Sequence, residues 1–185
     1  MKLGKRPARH DARVPFFSRH GAIMPMPPAS SNWYADVATW EMLANDQVGD
    51  CVFAAILHLI LQQESYTMAP AKPALPTDAE AIAAYSAVTG YVPGNPATDQ
   101  GTYMLGAGGA MAYWASHGIT CGGVLNKPLA FLQVGKNPVE YRQAISTFSN
   151  LLVGIQLPEA IVSPDVVPDV WRDFSGPVAG GHEIP

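Results

Sequence analysis

The chain has 185 residues, 48% hydrophobic and 14% charged, with two cysteines and a formal net charge of −4. Composition this apolar excludes intrinsic disorder, and the length suits one domain that buries roughly 70% of the surface its unfolded chain exposes. Two cysteines are too few for a disulfide-rich scaffold, and 17 Gly with 17 Pro imply many loops.

The first 20 residues hold six of the eleven basic groups (Lys2, Lys5, Arg6, Arg9, Arg13, Arg19) against the single acid Asp11, so a basic arm precedes an acidic body. Such an arm can meet nucleic acid, an acidic partner or the body itself, and its plainest reading is a solvated terminus. No apolar run follows its charges, as a secretion signal requires. Met24-Pro25-Met26-Pro27-Pro28 then predicts extended chain on a surface, so that residues 1–30 form one arm ahead of a domain at 31–185.

Residues 50–63 carry the strongest helix pattern, apolar on nearly every side, with Asp50 at the N-cap position. A helix of that kind belongs in the middle of a domain. Its apolar core, 52–61, is about half the ~20 residues of a membrane span. After the prolines at 70, 73 and 76, Thr77-Asp78-Ala79-Glu80 has the capping-box pattern of a second helix ending near Thr89 at Gly90. A third helix is predicted over 103–117, stopped by Gly118, and its Gly106, Gly108 and Gly109 suggest that another backbone passes close by. Gly106-Ala107-Gly108-Gly109 lacks the spacing of a dinucleotide or phosphate loop. Residues 137–148 predict a fourth helix, 151–157 a buried strand, and 158–171 an acidic loop punctuated by proline. Helices lead and strands follow, which argues for an α+β domain: a mainly helical part over 31–135, then a helix and sheet over 136–185.

Cys51 opens the buried helix. A thiol there meets unpaired backbone N–H groups and the positive end of the dipole, which favour the thiolate, while Asp50 beside it acts in the opposite sense. The plain alternative is a small buried core residue. A base must come from elsewhere, because His58 lies seven residues along the same helix, about 10 Å up its axis. His182, after Gly180-Gly181, is far away in sequence and free to approach a groove, although a histidine so placed is also compatible with a structural role.

Asn45-Asp46-Gln47-Val48-Gly49-Asp50-Cys51-Val52-Phe53-Ala54 resembles the start of the central helix in papain-like cysteine peptidases, where a glutamine shortly precedes the cysteine. Asp99-Gln100-Gly101 with Met111-Ala112-Tyr113-Trp114 and His117-Gly118-Ile119 resembles that family's glycine turn, packing helix and Gly-Ile exit. Tyr141-Arg142-Gln143-Ala144-Ile145 resembles the helix before its sheet, and Gly180-Gly181-His182 its histidine strand. The resemblance covers residues 33–182 and implies a papain-like fold with an antiparallel sheet in the C-terminal half. It further implies that Cys51 is the nucleophile, His182 the general acid/base ion-paired with it, and Gln47 the side-chain donor of an oxyanion hole, with acyl transfer to a peptide or protein substrate through a thioester. No cofactor is expected.

Three departures accompany the likeness. Gln47 lies four residues before the cysteine rather than the usual six, and only Glu183, Ile184 and Pro185 follow the histidine where the family places its orienting asparagine. Glu183 is a poor substitute, since neighbours on a strand point to opposite faces. No inhibitory propeptide of the usual length precedes Trp33. The likeness therefore implies a shortened domain: the natural chain continues past Pro185, another chain supplies the sheet edge, or catalysis has been given up. The last case makes the chain a papain-like structural or binding protein of the kind encoded by phages and prophages, meeting other subunits through the 1–30 arm and an open sheet edge. The absence of a signal or span fits the cytoplasm or a particle assembled there.

Two other chemistries have weaker patterns. Cys51, His117, Cys121 and His182 could ligate zinc, but no second close pair accompanies His117-x-x-x-Cys121, and Cys121 reads more simply as a thiol in a glycine-rich turn. The arm has no interleaved aromatic residues or reading helix, so nucleic acid is not expected as a partner.

Overall fold

The computed structural model describes residues 2–19, 24–162 and 176–185. It contains helices α1 (Cys51–Met68), α2 (Asp78–Thr89), α3 (Ala110–His117), α4 (Pro138–Phe148) and the single turn α5 (Glu159–Val162). Its strands are β1 (Ile119–Cys121), β2 (Val124–Asn126), β3 (Val153–Pro158) and β4 (Val178–Ile184), paired antiparallel as β1–β2 and β3–β4. The chain is thus α+β.

Apolar residues on every side of α1 place it at the centre: Cys51 to Leu57, Ile60 and Leu61 are all buried. Alanines at 81 and 84 let α2 approach it, and Ala110, Met111 and Trp114 of α3 with Ile119 and Cys121 of β1 complete the cluster. Cys121 is therefore a buried strand residue directed at the Leu57 carbonyl, not a loop thiol. No helix among the described residues is long and apolar enough to cross a membrane.

The capping box of α2 is present in full: Glu80 N–H donates to Thr77 Oγ1 and Thr77 N–H to Glu80 Oε2. The same carboxylate accepts from the N–H groups of Gly122 and Gly123, tying α2 to the β1–β2 turn. Asn137 caps α4 through its side chain, with Pro138 at the first helical position. Three expectations need correction. Helix α1 runs five residues further than predicted, and Asp50 precedes it without a side-chain capping bond. Helix α3 starts only at Ala110, because Gly106 and Gly108 adopt positive φ (94° and 73°) and form a turn. Side-chain atoms of Arg9, not another backbone, lie beside Gly106, and nothing lies beside Gly108.

The third correction concerns the arm. Residues 24–30 are in no helix or strand, with a bend at Ala29. Further upstream, however, Phe17 is 1% exposed and packs edge-on against Phe148 of α4, while Phe17 N–H donates to the Gln133 carbonyl. Arg6 and Arg9 cover the Tyr103 ring. These basic side chains rest on the body while staying exposed to solvent. Of the acidic loop expected over 158–171, Pro158 ends β3, residues 159–162 form α5, and 163–171 lie outside the described residues.

Candidate functional site

Residues 45–50 form the turn that delivers Cys51 to the head of α1. Asn45 organises it, its amide donating to the carbonyls of Lys2 and Val48 and, at 3.3 Å, to Asp50 Oδ1. Asp99 secures the other side: both of its carboxylate oxygens accept from Gly49 N–H at 3.1 Å, Oδ1 also accepts from the Tyr85 hydroxyl at 2.7 Å, and Oδ2 pairs with Lys2 Nζ at 2.6 Å. Burial opposes ionisation of Asp99, but the bonds from Lys2, Tyr85 and Gly49 outweigh it and hold the carboxyl below its ordinary range. Gly101 N–H donates to the same Tyr85 hydroxyl, so one buried phenol links the two turns.

Strand β4 packs against α1. Its pairing with β3 places His182 opposite Ile155 and Glu183 opposite Gly154, hence on opposite faces. The backbone N–H groups of Glu183 and of Gly4 in the N-terminal segment, and the Glu183 carboxyl, all bear on the ionisation of Cys51. Cys51 is 1% exposed. Burial pushes its thiol up to about 11, the backbone N–H groups of Glu183 and Gly4 pull it down, and the carboxyls of Glu183 and Asp50 push it further up.

Among the described residues no hydrogen bond joins the three residues expected to act together. His182 is buried, its Nδ1 has no hydrogen-bond partner among the described residues, and burial pushes it down to about 4, so the ring is neutral at pH 7. Among the described residues no hydrogen bond joins it to Cys51, and no side chain hydrogen-bonds to its ring. Gln47 sits exposed in the turn before α1, its amide in no hydrogen bond among the described residues. Asp50 is fully buried with Oδ2 unpartnered, and burial pushes its carboxyl up to about 7. Glu183 is likewise buried, both oxygens unpartnered, and pushed up to about 8 by burial against the pull of Lys5.

The zinc grouping fails geometrically: no three His, Cys, Asp or Glu side chains converge among the described residues, and His117 is exposed, stacked on Tyr113 and bonded to Ser116. A crevice of about 220 Å3 lined by Trp33, Gln62, Asn150 and Pro185 contains none of the predicted site residues.

Sequence reasoning overlooked Asp99 and Tyr85 as organisers and the N-terminal segment as part of the site. The Asp99-Gln100-Gly101 turn was a visible signal. Nothing in the sequence joins it to Lys2. Comparison of the chain with family models, curated proteins and solved structures yields no match.

Proposed function

We propose that this chain is a papain-like domain used as a non-catalytic binding or structural module. The fold reading is supported by a central buried helix headed by Cys51, with an antiparallel strand bearing Gly180-Gly181-His182 laid against it. The observation that carries the function is that Cys51 is buried, as are the neighbouring Asp50 and Glu183, and that no hydrogen bond joins it to His182 among the described residues. A cysteine nucleophile needs a nearby imidazole held in place by a third group, and His182 is neutral, unoriented and on the other face of β4. Its partners would be protein subunits, those of a phage particle among them.

A second reading, a cysteine peptidase using Cys51, His182 and Gln47, is favoured by the two backbone N–H groups that face the sulfur at the helix start. A thiol-reactive peptide probe on the native protein separates the two. Under the binding reading Cys51 reacts no faster than Cys121, and His182→Ala changes nothing. Rapid labelling of Cys51 that disappears in His182→Ala would make the chain a hydrolase.

A further inference from the structure

Residues 2–6 thread a crevice between the helical part and β4 as an added strand. Lys5 bridges both walls, parallel to Thr102 and antiparallel to Gly181. Thr102 N–H donates to the Gly4 carbonyl at 2.8 Å, Arg6 N–H to the Thr102 carbonyl at 2.8 Å, and Lys5 N–H to the Gly181 carbonyl at 3.1 Å. Main chain recognises main chain on both edges, the mode by which an extended peptide is captured.

The walls are bare where the segment passes. A Cβ on Gly101 would collide with the Gly4 carbonyl, and one on Gly181 with the Lys5 carbonyl. The fit is reciprocal, because a Cβ on Gly4 would collide with the Gly49 carbonyl. Only glycine is accommodated at that position. At the start of the segment the crevice offers an acid to a base, since Asp99 pairs with Lys2; the stem of Lys5 lies over Gly154 and its Nζ donates to the Arg6 carbonyl. Thr102 Oγ1 and both Glu183 oxygens are buried without partners, so the walls retain hydrogen-bonding capacity that the segment leaves unused.

We propose that this crevice is a binding site for an extended peptide of the pattern Lys-x-Gly, and that the chain's own Lys2–Lys5 is its resident, displaceable occupant. The inference rests on reading the domain as a binding module and names its ligand. Glycine at the third position is selected by the carbonyl of Gly49, and the lysine two residues before it by Asp99. Displacement sets four main-chain hydrogen bonds, the bond from the Asn45 amide to the Lys2 carbonyl and one half-exposed ion pair against the entropy of ordering five residues.

The test uses the full chain and a fluorescent peptide, Lys-Leu-Gly-Lys-Arg. Gly4→Val expels the resident segment by collision, and Lys2→Glu expels it by repulsion from Asp99 at a half-exposed position. Folding of each is checked by circular dichroism, and Lys2→Glu alone decides if Gly4→Val does not fold. The unaltered protein should bind the peptide at least tenfold more weakly than the variants, and the same peptide with alanine for glycine should lose at least tenfold in affinity for them. A folded variant that fails to bind, or that binds both peptides equally, overturns the site. Peptide recovered intact supports both the site and the non-catalytic reading. Peptide bound and then cleaved keeps the site and overturns that reading.

Discussion

The Glu183 carboxyl is 2% exposed, has no hydrogen-bond partner and titrates at about 8, well above the ordinary glutamate. Between the unfolded value and 8 the folded state binds more protons than the unfolded one, so stability falls as pH rises through that window; Asp50, at about 7, acts in the same direction. His182 acts oppositely, but only between about 4 and the ordinary imidazole value, where the folded state binds fewer protons and stability is lost on acidification. The melting temperature should therefore fall from pH 6.5 to 8.5. Glu183→Gln should flatten most of that fall, and an unchanged slope would show that Glu183 does not carry it. The identity of residue 51 as the head of a buried helix was legible in the sequence. Its neighbours were not, since strand alternation decides whether residue 182 or 183 meets the thiol, and alternation is fixed by register, which sequence leaves open.

Among the elements, those with chemical punctuation were readable. The Thr77 and Glu80 cap, Gly90 in the left-handed conformation and Asn137-Pro138 mark the ends of α2 and α4 to within a residue or two. Helix α3 was overdrawn because the apolar pattern continues through Gly106–Gly109 while the backbone does not. The β1–β2 hairpin was missed because its strands are three residues each, too short for alternation to register. Glu80 serves two elements at once, so the two members of the capping box are unequal. Thr77→Ala should cost about 1 kcal/mol in urea unfolding, the usual value of a lost cap. Glu80→Ala should cost more, since it also strands the N–H groups of Gly122 and Gly123. Equal losses would mean that the hairpin does not depend on that carboxylate.

At the scale of the molecule, Asp99 holds three distant parts together: the segment at Lys2, the turn before α1 at Gly49, and α2 through Tyr85. Its side chain is 4% exposed, and its removal leaves a buried N–H and a buried phenol short of a partner. Asp99→Ala should destabilise the protein by about 2–3 kcal/mol in urea unfolding. It should also speed hydrogen exchange at Gly49 more than at α4 amides; a uniform increase would argue against a local role. The sequence displayed an acidic body and a basic arm but not that one seats in the other, because an ion pair between residues 2 and 99 leaves no periodic trace.

The bridge from Lys5 to Gly181 also orders events in time. The fifth residue is synthesised long before its wall partner in β4, and a contact of such wide sequence separation is reached late by any chain that folds from local structure outward. The central helices can assemble while the segment is still free, and the crevice acquires its second wall only when β4 docks. In the interval a nascent Lys2–Lys5 strand has one edge bonded to Thr102 and the other open, which is the period in which a neighbouring molecule's strand would compete for the same place.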